Sequence, residues 1–304
     1  MNIYSCVDYK NIDKIIILFY SCYINCSKKK DIKFYLLIDE ETDYVIPDLF
    51  KDILKIKSLD KKFMKDENWY EINSEFSKYF YKQSKCNHIM NFSRFFIFHH
   101  FPELNSAIYL DWDMIVQEDI FKLEPSYKLV EDENKFVAAE CKNYKNKFEN
   151  IYNNLIEDKQ NSNLLVYNKN YYIILKNKIL QRNKIKKKIQ NKLKKINKNI
   201  NLDENTFNAG FFIVNKNLFD LTNLKLLINF LIEIQKEKQI FRFGTQIIMN
   251  ILINDIIFVD SSWNSQKENS SIIHWKGGKN SKKPWEINNK IWLKYKNEIF
   301  SNII

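Results

Sequence analysis

Glycine is nearly missing from this chain: four in 304 residues, at Gly210, Gly244, Gly277 and Gly278. Neither G-x-G-x-x-G nor G-x-x-x-x-G-K-[ST] can be written with them, so the backbone cradles of a dinucleotide fold or a P-loop are excluded. If such a protein binds a diphosphate, a metal ion and cationic side chains must neutralise it instead. Alanine is also scarce, while Lys, Asn and Ile are abundant, a bias that looks like an AT-rich genome and is in part free of function. The five cysteines, Cys6, Cys22, Cys26, Cys86 and Cys141, are odd in number and irregular in spacing, without a C-x-x-C pair. That excludes a disulfide framework and a zinc ribbon and points to a reducing, cytosolic compartment. No apolar run is long enough for a bilayer, the strongest being residues 15–24, and the start of the chain shows no signal-peptide pattern. The expected location is cytoplasmic, with any membrane contact peripheral to the inner face of the cytoplasmic membrane.

What is present is the composition of a folded globule, 45% apolar and 15% aromatic, with a net charge of +11. The charge favours anionic partners: a phosphate-bearing substrate, an acidic membrane face or nucleic acid. Hydrophobic periodicity predicts strands at residues 2–7, 32–38, 53–59, 107–110, 135–139, 211–214 and 256–259. Helices are predicted at 12–26, 92–101 (closed by Pro102), 218–236 and 245–254. Residues 61–85 read as loop and short helix, and the C-terminal segment 285–304 as helical or irregular. Alternation of this kind specifies an α/β fold with a mostly parallel sheet and helices on both faces, expected as a single domain over residues 1–304.

Residues 144–205 form a Lys/Asn-rich insertion without Gly or Pro. Within it Ile185, Ile189, Leu193, Ile196 and Ile200 recur at helical spacing among lysines, the pattern of a basic amphipathic helix. The plainer reading packs that stripe on the body. The functional alternative docks it on an anionic membrane carrying a lipid-linked acceptor. Lys184–Lys198 lacks interleaved aromatics, which sets aside a nucleic-acid partner.

Tyr109-Leu110-Asp111-Trp112-Asp113 places two carboxylates where an apolar strand ends, the position ligands take in open α/β sheets. Hard oxygen ligands there suit Mn²⁺ or Mg²⁺. A bare D-x-D is common, and its plain reading is a solvated acidic turn. Further segments change the balance: Cys6-Val7-Asp8, Phe92-Ser93-Arg94, Phe207-Asn208-Ala209-Gly210, Thr245-Gln246 with Asn250, His274-Trp275-Lys276-Gly277, and Lys283-Pro284-Trp285. In this order they resemble glycosyltransferase family 8, retaining transferases of GT-A fold that include bacterial lipooligosaccharide galactosyl- and glucosyltransferases and glycogenin. The matches run from residue 8 to residue 285.

The resemblance implies a hexosyltransferase that takes a sugar from a UDP-sugar and passes it to a glycan or glycolipid acceptor, of lipooligosaccharide or capsule type. It implies Asp111, Asp113 and His274 as metal ligands for Mn²⁺ or Mg²⁺. Asp8 would contact the uracil, and Arg94 and Lys283 the phosphates. Asn208, Ala209, Glu140, Thr245 and Gly277 would line the donor pocket, with Gln246 under the anomeric carbon. The family usually has Asp before that Gln, where this chain has Thr245. A non-catalytic, donor-binding relative is the alternative that this departure favours. His99 and His100, adjacent on a predicted helix, point in different directions and are read as structural.

Overall fold

The computed structural model describes residues 1–80, 89–140, 205–238, 245–276 and 282–301, together with Lys187, Gln190, Asn191 and Lys194. Those four are helical, and Lys187, Asn191 and Lys194 are exposed. The apolar stripe predicted for the same helix, and Gly277, lie outside the described residues.

The chain opens with β1 (Asn2–Val7), α1 (Ile12–Ile24), β2 (Lys33–Ile38) and β3 (Leu54–Ser58). Four helices follow: α2 (Lys61–Asp66), α3 (Trp69–Phe80), α4 (Met90–Ser93) and α5 (Ile97–His100). Then come β4 (Ser106–Leu110), β5 (Met114–Val116), α6 (Glu124–Glu133), β6 (Phe136–Ala139) and β7 (Phe211–Asn215). The remainder is α7 (Leu221–Lys238), α8 (Thr245–Leu252), β8 (Ile256–Val259), β9 (Ile272–His274) and α9 (Lys290–Phe300). The helix expected over 92–101 is therefore two short helices. Phe95 and Phe96 N–H groups bond three residues back, to Phe92 and Ser93, which tightens the chain there and tucks Arg94 inward. The stretch expected as loop and short helix carries α2 and α3.

Among the described residues seven strands form one sheet in the order β3-β2-β1-β4-β7-β6-β8. Only β7 runs against its neighbours; the β1–β2, β2–β3, β1–β4 and β6–β8 pairs are parallel. The sheet is mixed and mostly parallel, with helices on both faces. Alternation along the strands sorts the side chains by shape. Ile3, Ile108, Ile213 and Val137 are cross-strand partners on one face, covered by Ile12, Ile15, Ile16 and Phe19 of α1. On the other face Tyr4, Tyr109, Phe212 and Phe136 form an aromatic ladder, with centroids 5.0, 4.8 and 5.4 Å apart. Leu224, Leu227, Ile228 and Leu231 of α7 close over that face. Each such buried side chain contributes about 1.5–3 kcal/mol by leaving water, so both faces hold the central strands in register. A one-residue slip would exchange the two sets.

Because β7 is antiparallel, the residues that precede it reach the same sheet edge as the residues that follow β4. A second, two-stranded ribbon stands at that edge: β5 and β9 pair antiparallel, with Met114 opposite His274. The ribbon is absent from the sequence-level expectation, since three-residue strands carry no readable period.

Candidate active site at the sheet edge

Three segments converge where β4 ends. The Asp111 N–H donates to the Gly210 carbonyl at 2.9 Å, joining the carboxylate turn to the chain entering β7. The β5–β9 pairing brings His274 beside Asp113, and the Trp275 N–H donates to the Asp113 carbonyl at 3.0 Å. His274 Nε2 lies 3.3 Å from Asp113 Oδ1 and 3.8 Å from Asp111 Oδ2. One donor atom from each of the three residues falls within 4.8 Å of the others. Adjacent ligands about 2.1 Å from an octahedral cation stand about 3 Å apart, so a small ion fits between these atoms with little movement. Two hard oxygens and one imidazole form a donor set suited to Mn²⁺ or Mg²⁺.

The outer oxygens are already engaged. Asp111 Oδ1 accepts from the Tyr109 hydroxyl at 2.6 Å and faces Arg94 Nη2 at 3.5 Å. Arg94 also donates from Nη1 to the Ala209 carbonyl at 2.9 Å and lies over the Tyr109 ring. Asp113 Oδ2 accepts from Lys283 Nζ, which donates in addition to the Trp275 carbonyl. Burial opposes the charge on Asp113, but the His274 ring and the Lys283 ammonium outweigh it and hold the carboxyl at about 2. Asp113 therefore stays ionised in any ordinary buffer.

The aromatic packing around the turn fixes Lys283. Trp112 stacks against Trp285 at 4.9 Å, and Trp285 meets Trp292 of α9 at 5.1 Å. Lys14 of α1 sits over both Trp112 and Trp285. The segment that begins at residue 282 is thereby held over the D-x-D turn.

Gly210 is the position where a side chain is forbidden. A Cβ there would lie 2.3 Å from His274 Cε1 and 2.9 Å from Asp111 Oδ2. Its N–H donates to Asn208 Oδ1 at 3.0 Å, and Asn208 Nδ2 donates to Gln246 Oε1 at 3.2 Å. Asn250 grips both backbone groups of Phe207, at 2.9 and 3.0 Å, which holds the 206–210 segment against α8. Thr245 is buried at the first turn of α8 and Gln246 is half-buried.

Asp111, Asp113, His274, Arg94, Lys283, Asn208, Ala209 and Gln246 thus form one connected cluster. Asp8 follows the end of β1, the strand parallel to β4, and accepts from Asn11 Nδ2 at 2.6 Å. Glu140 is exposed at the end of β6, on the edge shared with Asp111. Two members of the cluster carry no signal in the sequence reading: Tyr109, read there only as strand, and Asn264, which is buried next to His274.

This mixed sheet, with a carboxylate–imidazole cluster at the carboxyl edge of its central strand, is the architecture of a GT-A glycosyltransferase. Its sequence matches the glycosyl transferase family 8 description over residues 2–289, and the chain belongs to that family. The galactosyltransferase LgtC, solved with donor and acceptor sugar analogues, shares the fold at 12% identity, with a TM-score of 0.59 over 98% of this chain and 96% of that one. WbbM, a bifunctional glycosyltransferase, aligns at 16% identity and a TM-score of 0.53; 98% of this chain covers 50% of that one. A search of curated proteins finds no match. Among the described residues no helix is long and apolar enough to cross a membrane.

Proposed function

We propose that this glycosyltransferase moves a hexose from a UDP-sugar to a glycan or glycolipid acceptor with retention of configuration. The observation that carries the reading is the convergence of Asp111, Asp113 and His274 beside cationic side chains in a chain without a glycine cradle. A divalent ion, Mn²⁺ or Mg²⁺, held by those three residues would cancel charge developing on the departing diphosphate.

The chain's own groups divide the remaining work. Asp8 accepts from the uracil N–H. Arg94 presents a planar fork and Lys283 a point charge to the phosphate oxygens. Asn208, Ala209, Glu140 and Thr245 line the sugar pocket. Gln246 lies under the anomeric carbon; an amide is a poor nucleophile, so its oxygen supports the oxocarbenium-like state electrostatically. The departing diphosphate oxygen takes the acceptor's proton as the new bond forms on the same face. Acceptors of lipooligosaccharide or capsule type, approached from the inner membrane face, agree with the net charge of +11.

Thermal stabilisation by a panel of UDP-sugars with Mn²⁺ tests this directly, since a true donor stabilises the folded state by mass action. The donor so found should then release UDP only when the ion is present. Thr245, in place of the acid usual in the family, favours a second reading, a donor-binding relative without turnover. Stabilisation without any metal-dependent UDP release would select it. Failure of every UDP-sugar to stabilise the protein would sink both.

A further inference from the structure

Asn264 has no part in the chemistry described so far, yet its one side chain touches two functional groups. It ends a short 3-10 turn, Ser261–Asn264, whose first residues are capped by the Asp260 carboxylate, and it is 4% exposed. Its Oδ1 lies 2.7 Å from His274 Nδ1. Its Nδ2 lies 3.2 Å from both the carbonyl oxygen and Oδ1 of Asn208. The orientation of each amide follows from fixed backbone groups. The Gly210 N–H requires an oxygen from Asn208, and the Asn208 carbonyl requires a donor from Asn264. Asn264 must then offer its oxygen to the imidazole, so Nδ1 carries a proton and Nε2 is the nitrogen turned toward the two aspartates.

We propose that Asn264 is a positioning residue that sets the tautomer and aim of His274 through its oxygen, and the stance of Asn208, hence of Gln246, through its nitrogen. The inference rests on the donor-site reading above. A hydrogen-bonded partner behind a ligating imidazole raises ligand basicity and fixes the ring, and its loss costs about 10–100-fold in metal affinity. Here the same amide also reaches the sugar pocket, so the cation site and the pocket share one support.

The two ends can be separated by substitution. Asn264→Asp keeps an oxygen for the Nδ1–H but sets a second oxygen against the Asn208 carbonyl. Asn264→Leu removes both contacts at similar volume. Two quantities are read in each protein: Mn²⁺ affinity without nucleotide, from the paramagnetic resonance signal of free Mn²⁺, and the affinity that UDP-glucose or UDP-galactose gains over UDP alone. N264L is expected to weaken Mn²⁺ about 10–100-fold and to erase the sugar's gain. N264D is expected to hold Mn²⁺ within about threefold of wild type while erasing the same gain. A merely structural role would weaken both quantities together in N264D, and that result, or an unchanged Mn²⁺ affinity in N264L, overturns the assignment. Should N264L fail to fold, the split in N264D still decides. If wild type binds Mn²⁺ and UDP but neither hexose adds affinity, the hexose-donor reading fails, and the Mn²⁺ comparison alone judges Asn264.

Discussion

Two imidazoles in this protein are equally hidden and have opposite fates. His274 is 3% exposed and His100 is 6% exposed. In His100 both ring nitrogens are consumed by backbone: Nδ1 donates to the Phe96 carbonyl at 3.0 Å, and Nε2 accepts from the Asp60 N–H at 2.9 Å. In His274 Nδ1 meets a side-chain amide, and Nε2 faces two carboxylates. Burial does not distinguish a ligand from a bolt. What the second nitrogen faces does.

The largest expected effect breaks the first member of the pair. His274→Ala should lower metal-dependent UDP release about 10³-fold, because the leaving group loses its charge partner. His100→Ala should leave that rate near wild type when both are assayed at a temperature where both are folded. Next comes a change that touches His274 without altering it. Gly210→Ala forces a methyl against the ring and Asp111, and the displacement should cost about 10²-fold in turnover, with Mn²⁺ affinity falling in parallel. A Gly210→Ala enzyme with unchanged Mn²⁺ affinity would show that the 208–210 turn does not press on the ligands.

The stability consequences belong to the other member. His100→Ala orphans the Asp60 N–H, while the Phe96 carbonyl keeps its bonds from the backbone N–H groups of residues 99 and 100, and should lower unfolding free energy by about 2 kcal/mol, read from urea midpoints. Burial also lowers the His100 pKa, against weaker opposing effects of the Phe96 carbonyl and Asp60; His99 and Lys57 push the same way as burial. The sign follows from proton counting: as pH falls below about 6.5, the unfolded chain takes up the proton before the folded one does. His100 therefore contributes fully above that pH and loses its contribution toward the depressed folded value. The gap between wild type and His100→Ala should narrow from pH 7 to pH 5, and a gap that widens would reverse the assignment. The smallest effect is at His99, exposed and stacked on Phe63 at 3.7 Å. His99→Ala should cost at most about 1 kcal/mol and nothing in Mn²⁺ binding.

The same pair shows what a sequence displays and what it hides. Strands such as β1 and β4 are legible because alternation sends Tyr4 and Tyr109 to one face and Ile3 and Ile108 to the other. Asp111 and Asp113 are legible because they sit together where such a strand stops. His274 is legible only through its neighbours in the matched segment, for a lone histidine before a tryptophan has no period. The ribbon that delivers it, three residues on each side, lies below the length at which a pattern can be seen. Asn264 is invisible for a deeper reason: its role is set by which atoms of its amide meet which backbone groups across the fold, and spacing along a chain does not encode that. The break between α4 and α5 was hidden likewise, because Phe92, Phe95 and Phe96 suit a continuous helix as well as the tightened turn that buries Arg94.

The reversed direction of β7 has one more consequence. The chain leaves the central sheet after Ala139 and returns at Phe211, and both points lie on the edge that holds the aspartates. Whatever stands between them is tethered at both ends beside the mouth of the site, while the mouth itself is braced by β4, β5 and β9. On the function proposed above, the length and charge of that excursion can change without moving the residues that would hold the donor.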